Sequence, residues 1–295
     1  MENNPRHFRT MDIVYLLMMI LPVVAGIILK ILTYPQSEGI AISGARVFFT
    51  IKMPLQDLPI TESQINSWIV MISVTGLCLY LTHGIKVKAD TKRQHIAEWI
   101  VENAENLVIG NMGEFFLGFA PFVASILALS AFSSLLSLFG LYAPTSDINI
   151  TAGWAILVFV LITYYKMKCG PLMYLKSFGD PVKFLAPLNI ISEIATPVSM
   201  AFRHYGNVLS GAVISVLLAT GLQGLSSKLL GGLPGFLGEF PLLQIGIPAV
   251  LSIYFDVFSG CLQAYIFAML TMLYVSGGFP AEEYFRRKAS DKQTV

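Results

Sequence analysis

Charged residues are scarce in this chain. Asp, Glu, Lys and Arg together make up 13% of its 295 residues, against roughly 25% in an average soluble domain. Hydrophobic residues make up 55%, and the mean hydropathy is +0.68. So few polar side chains cannot cover a water-exposed surface. The composition therefore predicts an integral membrane protein, with the lipid bilayer as its surroundings.

Cysteine and clustered positive charge are also nearly missing. The three cysteines are far apart and form no CxxC or His-paired pattern, which argues against both a disulfide framework and a metal site. With a formal net charge of +1 and no long basic run, no nucleic-acid partner is expected. The glycine-rich residues 231–235 contain no lysine, so they are not a phosphate-binding loop. We expect no cofactor and no catalytic site in the chain itself.

Long apolar runs are abundant. A membrane-spanning helix needs about 20 mostly apolar residues, and six stretches approach or exceed this length: 12–34, 65–81, 115–141, 153–165, 184–222 and 242–275. The first run is longer than the roughly 7–15 residues of a signal-peptide core, so we interpret it as a retained helix. The expected fold class is an all-α membrane protein with about six hydrophobic helices, of which the last two are long and strongly tilted.

Residues 94–111 lie between the second and third runs and mix apolar residues with glutamates. This spacing predicts an amphipathic helix on the inner membrane surface, and a cytoplasmic helix that only packs against the bundle is an equally good interpretation. Because Lys and Arg are concentrated in alternate connections, the positive-inside rule places both termini in the cytoplasm of a multi-pass cell-membrane protein. We expect three regions: an N-terminal helix and outer loop (1–61), an ion-translocating membrane domain (62–276) and a cytoplasmic tail (277–295).

Two charged residues interrupt the last two apolar runs. Arg203 lies in the fifth run and Asp256 in the sixth. An arginine at the centre of a membrane helix costs about 2.5–3.5 kcal/mol on insertion scales. An isolated carboxylate at that depth also needs water, a proton or a partner charge. A purely structural membrane protein would have little reason to contain both residues, so their positions predict a functional site.

Polar residues share a helix face with each of these charges. At 100° per residue, one face of the fifth helix carries Thr196, Ser199, Arg203, Asn207 and Ser210. The sixth helix has a similar series: Ser252, Asp256, Ser259 and Gln263. For the uncharged members, ordinary hydrogen bonding between helices is an equally good interpretation. The two stripes together predict a water-accessible ion path that is interrupted by an arginine.

The role of Arg203 follows from its chemistry. A guanidinium does not lose its proton in proteins, so Arg203 cannot relay one. We expect it to block ion leakage and to attract a carboxylate. The chain has no second acid opposite Arg203, which predicts that the carboxylate belongs to a partner subunit.

Three motifs, in order, resemble a known family. Residues 197–207 read PVSMAFRHYGN, residues 262–271 read LQAYIFAMLT, and residues 146–151 read SDINIT. Each resembles a segment of subunit a of the F-type ATP synthase, the membrane stator against which the c-ring turns. The likeness extends from about residue 66 to residue 275, and residues 1–62 lie outside its strong part.

The resemblance implies two offset half-channels that carry H⁺ or Na⁺ to and from the c-ring, with the peripheral-stalk subunit b as a further partner. Arg203 matches the family's essential arginine, and Asn207 and Gln263 match polar residues beside it. Asp256 falls where many members have a residue of the outer half-channel. The remaining predicted ion-path residues are Ser199, Ser210, Ser259, Glu193, Asp147 and Asn149.

The chain departs from the family pattern at several positions. Ala212 replaces an ionisable residue of some members, His204 and Tyr205 replace an apolar pair, and Glu193 is displaced by one helical turn from a common acid. A self-contained secondary transporter or channel is the alternative. It predicts internal pseudosymmetry and a binding site within one chain, and the sequence has no visible repeat.

Overall fold

A computed structural model describes residues 5–33, 44–54, 56–87, 91–179, 183–230, 250–251, 253–282 and 284–286. Its α-helices are α1 Pro5–Thr33, α2 Glu62–Thr82, α3 Lys92–Met112, α4 Ala120–Leu135, α5 Ile148–Lys166, α6 Pro171–Ser177, α7 Ala186–Leu230 and α8 Gly260–Gly278. Short 3₁₀ segments are Glu114–Phe119, Leu136–Phe139, Pro144–Ser146, Met167–Cys169 and Lys183–Leu185, and a π-helical segment, Ile253–Ser259, precedes α8. Two strands, β1 Val47–Ile51 and β2 Leu58–Thr61, complete the elements.

Within the described residues, six helical segments are long and apolar enough to cross a membrane: Thr10–Thr33, Glu62–Thr82, Glu114–Phe139, Ile148–Lys166, Lys183–Leu229 and Ile253–Gly278. They coincide with the six predicted runs, so the all-α class with six hydrophobic helices is confirmed. Residues 242–249 of the last predicted run lie outside the described part of the chain. The fourth helix begins five residues earlier than predicted, because the side chain of Asp147 caps it by accepting a hydrogen bond from the backbone N–H of Asn149.

α7 is longer than predicted and continues to Leu230. Its 45 residues correspond to roughly 66 Å of helix, about twice the hydrocarbon thickness of a bilayer. A helix of this length must cross at a strong tilt or extend beyond the bilayer core. Pro197 lies within it and removes one backbone hydrogen bond, which favours a bend at that point.

The amphipathic helix predicted before the third span is α3. The side chain of Thr91 accepts a hydrogen bond from the backbone N–H of Gln94 and so caps the helix. Val108 and Met112 are buried in the core, whereas Glu98 and Glu102 are exposed. The division of charged and buried residues between two faces agrees with a helix that lies against the bundle.

The hydrophobic core joins α3, α4, α5, α7 and α8. Val108, Val123, Val158, Phe267 and Met272 are at most 1% exposed and belong to one contiguous cluster. From α7 only Met200 belongs to the buried part of that cluster. Because the rest of the long helix contributes little to the core, much of its surface is uncovered within the described residues.

The N-terminal helix is attached to the bundle in two ways. A Cβ atom at Gly76 of α2 would lie 2.8 Å from the backbone nitrogen of Met19, so only glycine permits α1 and α2 to approach this closely. Just beyond the same, C-terminal end of α2, the carboxylate of Asp12 lies 2.8 Å from Nη1 of Arg93 and 2.9 Å from Nδ1 of His83. These contacts connect α1 to the ends of α2 and α3.

An antiparallel hairpin precedes α2, with Val47 opposite Thr61 and Ile51 opposite Leu58. We did not predict it from the sequence. The strands are short and mostly exposed, and β2 contains Pro59, so the segment has no clear strand signal. The backbone N–H of Glu62 donates to the carbonyl oxygen of Arg46 at 2.7 Å, which fixes the hairpin to the start of α2.

Candidate ion path

Most of the polar stripe of α7 is not covered by the described part of the chain. The side chains of Ser199, Arg203, Asn207 and Ser210 are all exposed. Within the described part of the chain, no residue forms a hydrogen bond or an ion pair with Arg203. The described residues therefore leave the guanidinium of Arg203 exposed on the surface of α7.

The opposite face of α7 packs against the bundle. Pro197, Met200, Ala201, His204 and Gly211 are buried, at the spacing of one face of an α-helix. A Cβ atom at Gly211 would lie 3.2 Å from Cβ of Phe255, so this glycine brings α7 close to the π-helical segment. The packing of this face is what turns the Arg203 stripe outward.

One member of the stripe bonds to the last helix. Nδ2 of Asn207 donates to Oε1 of Gln263, and the two atoms are 2.7 Å apart. Gln263 is 1% exposed, so this bond gives its buried side-chain oxygen a hydrogen-bond donor. The structure thus brings together two of the predicted site residues, one helical turn from Arg203.

The segment around Asp256 is not α-helical. Residues Ile253–Ser259 form a π-helix, whose wider turn changes the direction of the side chains relative to an α-helix. Asp256 and Ser259 are half-buried, and Ser252 lies outside the described residues. The side-chain period of an α-helix does not hold here, so the spacing of residues in the sequence does not give the direction of Asp256.

Asp256 opens into a cavity of about 250 Å³, a volume that can hold several water molecules. We call it the Asp256 cavity. Its other charged residues are Glu62 at the start of α2, Lys30 at the end of α1, and Arg46 beside the hairpin. The α7 residues in its wall are Val208, Leu209, Ala212, Val213 and Val216.

Asp147 and Asn149 lie at the start of α5, near this cavity but not among the residues that line it. Asp147 accepts hydrogen bonds from the backbone N–H of Asn149 at 3.0 Å and from the hydroxyl of Ser63. Ser146 and Tyr142 of the same turn do line the cavity. Burial, and then the charge of Asp147, raise the pKa of Tyr142 above its ordinary value, so this phenol remains protonated.

Glu193 lies at a second cavity, of about 240 Å³, which we call the Glu193 cavity. Its wall consists of Ile162, Lys166, Glu193, Thr196, Leu273, Tyr274, Gly277 and Gly278. Nζ of Lys166 lies 3.0 Å from Oε1 of Glu193. The hydroxyl of Tyr174 donates to the same oxygen at 3.0 Å.

The two cavities lie at opposite ends of the bundle. Ser146 of the Asp256 cavity precedes α5, whereas Lys166 of the Glu193 cavity ends it, and this helix is about 27 Å long. Along α7, Arg203 follows Thr196 of one cavity by about 10 Å and precedes Ala212 of the other by about 13 Å. Arg203 therefore lies between two cavities that enter from different ends.

His204 follows Arg203 but points into the bundle. It is fully buried, and Nε2 lies 3.2 Å from Oγ of Ser130. Its ring contacts Trp154 and Phe267 edge to face. These contacts place His204 at the junction of α4, α5, α7 and α8, on the packed face of α7 rather than on the Arg203 stripe.

The described residues contain no group of three or more His, Cys, Asp or Glu side chains that could hold a metal ion. Among the described residues, the site comprises a permanent cation on an uncovered helix face, two acids (Asp256 and Glu62) in one cavity and Glu193 in the other.

The fold and site define a class: a polytopic α-helical membrane protein with an arginine on an exposed face of a membrane-spanning helix. The chain belongs to the ATP synthase A chain family, whose model matches residues 64–276. It is a membrane subunit that translocates ions in the rotary complex and is not itself catalytic. This confirms the resemblance to the F-type subunit a and replaces the alternative of a self-contained transporter.

Three relatives named ATP synthase subunit a illustrate the similarity. The protein of Desulforamulus reducens is 34% identical over 219 residues, covering 73% of this chain and 78% of the relative. That of Priestia megaterium is 33% identical over 238 residues, covering 75% and 94%. That of Legionella pneumophila is 28% identical over 228 residues, covering 77% and 90%. The family match begins two residues after the start of α2, so α1 and the hairpin lie outside it.

Proposed function

We propose that this chain forms the two half-channels that carry H⁺ or Na⁺ to and from the c-ring, and so couples ion flow to ring rotation and ATP synthesis. The observation that carries the proposal is the position of Arg203. It lies on an uncovered face of α7, without a bonding partner in the described chain, between cavities from opposite ends of the bundle.

The Asp256 cavity serves as the outer half-channel. Its volume admits water, and Asp256 is a titratable group in its wall. A proton from the outer side reaches this carboxylate and passes along the α7 face to the ring. Asp147 and Asn149 remain the predicted surroundings of the entrance, beside the Ser146 and Tyr142 wall.

The Glu193 cavity serves as the inner half-channel. It lies at the end of the bundle that holds Lys166, Lys168 and Lys176, the side that the positive-inside rule assigns to the cytoplasm. Thr196 connects this cavity to the polar stripe of α7. An ion that leaves the ring on this side of Arg203 reaches water through it.

Arg203 separates the two half-channels and acts on the carboxylate of the ring. Its charge is permanent, and in a membrane a desolvated cation and anion attract each other strongly. When a ring carboxylate approaches, Arg203 favours the ionised form and so favours release of the bound ion. Ser199, Asn207 and Ser210 provide hydrogen-bonding groups along the same exposed face.

The assembly has two protein partners in this proposal. The c-ring covers the exposed stripe of α7, and the peripheral-stalk subunit b holds the chain still against the rotating ring. Subunit b rests on family membership alone. Both termini are cytoplasmic, and the protein lies in the cell membrane.

The test is Arg203→Ala in membranes that contain the assembled complex. Ion-coupled ATP synthesis and ATP-driven pumping are expected to be lost, while the protein remains inserted. Phe202→Ala is the matched control, because Phe202 is the adjacent residue on α7, is 60% exposed and carries no charge. Coupled synthesis near the wild-type rate in Arg203→Ala would refute the proposal.

A further inference from the structure

Glu193 has two partners that the ion-path residues considered so far do not include. Oε1 of Glu193 lies 3.0 Å from Nζ of Lys166 and 3.0 Å from the hydroxyl oxygen of Tyr174. The side chain of Glu193 is only 10% exposed and that of Lys166 is 28% exposed. A carboxylate that is so little exposed to solvent needs hydrogen-bonding or charged partners within the protein.

The path of the Lys166 side chain is built into the facing helix. A Cβ atom at Gly278 of α8 would lie 2.9 Å from Cε and 3.1 Å from Cγ of Lys166. Any larger residue at 278 would therefore displace the aliphatic part of Lys166. The neighbouring Gly277 also lines the cavity, but a Cβ atom there would meet nothing within 4 Å. Glycine is therefore required at position 278, over which Lys166 passes, and not at position 277.

Tyr174 serves as a permanent donor to the same carboxylate oxygen. Burial, and then the hydrogen bond and charge of Glu193, raise the pKa of Tyr174 above its ordinary value. The phenol thus keeps its proton, and the carboxylate keeps the hydrogen bond. Three different elements contribute the set: α5 supplies Lys166, α6 supplies Tyr174 and α7 supplies Glu193.

We propose that Lys166, passing over Gly278, and Tyr174 position the Glu193 carboxylate in the wall of the Glu193 cavity, and that this Lys166–Glu193 pair sets the charge that an ion meets there. The proposal rests on the proposed function in taking this cavity as a half-channel. Lys166 and Tyr174 are positioning residues in this scheme. Among the described residues of the cavity wall, the others carry no charge: Ile162, Thr196, Leu273, Tyr274 and the two glycines.

The pairing has a definite consequence for ion passage. An unpaired carboxylate in a narrow, poorly solvated cavity attracts cations and delays their release. Lys166 offsets this charge, so an ion leaving the ring meets a nearly neutral wall. Loss of Lys166 makes the cavity anionic, and loss of Glu193 makes it cationic.

The charge can be measured at Thr196, which lines the same cavity. In the assembled complex in membranes, Cys78, Cys169 and Cys261 are replaced by serine and Thr196 by cysteine. The rates of reaction with a cationic (trimethylammonium) and an anionic (sulfonate) methanethiosulfonate are then compared. The ratio of the two rates reports the local potential, and a general loosening of the structure would raise both rates together.

Lys166→Gln is expected to raise the cationic-to-anionic ratio by roughly three- to tenfold, and Glu193→Gln to lower it by a similar factor. The double variant returns the ratio to near its original value, and Lys166→Arg leaves it unchanged. Gly278→Ala displaces Lys166 and shifts the ratio in the same direction as Lys166→Gln, whereas Gly277→Ala does not. Lys168→Gln is the matched charge control, because the Lys168 ammonium lies over the rings of Tyr164 and Tyr165.

An equal ratio in the parent and in Lys166→Gln would overturn the proposal, as would a cysteine at 196 that neither reagent reaches. Lys166→Arg and the double variant keep the test decisive if a single variant fails to insert. Thiol reaction does not depend on ATP synthesis. If the rate ratio shifts in Lys166→Gln but Arg203→Ala couples normally, the proposed function is refuted and this inference stands. If the ratio does not shift but Arg203→Ala loses coupling, this inference is refuted and the proposed function stands.

Discussion

Asn207 on α7 donates a hydrogen bond to Gln263 on α8, with a distance of 2.7 Å between Nδ2 and Oε1. This bond joins the uncovered face of α7 to the packed interior of α8, since Asn207 is exposed and Gln263 is buried. It lies one turn from Arg203. The bond therefore helps to fix the rotation of α7 that leaves Arg203 on its exposed face.

The first prediction concerns this bond. Asn207→Ala leaves the buried Gln263 amide without its partner, which costs about 1–3 kcal/mol. The double variant Asn207→Leu/Gln263→Leu removes both polar groups and should be less destabilised than Asn207→Ala. Thermal unfolding of the solubilised complex measures the difference. The full double-mutant cycle also needs the single variants Asn207→Leu and Gln263→Leu. If their losses of thermal stability add up to that of the double variant, the two residues do not interact.

The second prediction concerns the chemistry of Arg203. Arg203→Lys keeps a positive charge but loses the planar fork of donors and the permanent protonation of the guanidinium. We expect ATP-driven ion pumping to fall nearly as far as in Arg203→Ala. A lysine variant that pumps at half the wild-type rate or more would mean that any positive charge suffices here.

The sequence allowed six spans to be predicted because lipid requires long apolar helices, and this requirement is local. Arg203 and Asp256 were recognisable for the same reason, since a charge in an apolar run is costly. For Asn207 and Gln263, the sequence predicts a polar stripe on each helix but not the contact between the two residues. Which members of two stripes meet depends on the rotation and crossing of the helices, and neither is encoded by spacing.

Other features depended on contacts between distant parts of the chain. The Lys166–Glu193 pair joins the end of α5 to the start of α7, and Lys30 and Arg46 reach the Asp256 cavity from outside the family-matched region. The π-helical turn at Asp256 also has no period in the sequence that would distinguish it from an α-helix. These features follow from packing, so sequence spacing alone could not give them.

The third prediction tests whether the Arg203 face of α7 is accessible to water-soluble reagents. Cysteines at 199, 207 and 210 should react with water-soluble thiol reagents, because these positions lie on the Arg203 face. A cysteine at 202 should react much less, since this exposed position lies off that face and would contact lipid, where few thiols ionise. A cysteine at 200 should also be protected by burial. Labelling of all five positions at similar rates would mean that the stripe is not a distinct aqueous path.

The fourth prediction concerns Asp256. Asp256→Asn removes a group that can take up and release a proton, so ATP-driven pumping should fall by at least about tenfold if each transported ion uses this carboxylate. Asp256→Glu keeps the chemistry and should retain much more activity. Phe258→Ala, two residues away on the same segment and without a polar group, is the control for a disturbed π-helix. Unchanged coupling in the asparagine variant would show that the ion bypasses Asp256.

The dependence of pumping on external pH distinguishes a titrating carboxylate from a static hydrogen-bond donor. A carboxylate that exchanges protons through the Asp256 cavity shifts the pH profile when aspartate becomes glutamate, because the longer side chain changes both the intrinsic acidity and the distance to Lys30, Arg46 and Glu62 in the cavity wall. A static donor changes only the maximal rate. Since a carboxylate at this depth is costly unless water, a cation or a proton compensates it, we expect the profile to move. Superimposable profiles for the aspartate and glutamate proteins would assign Asp256 a structural role.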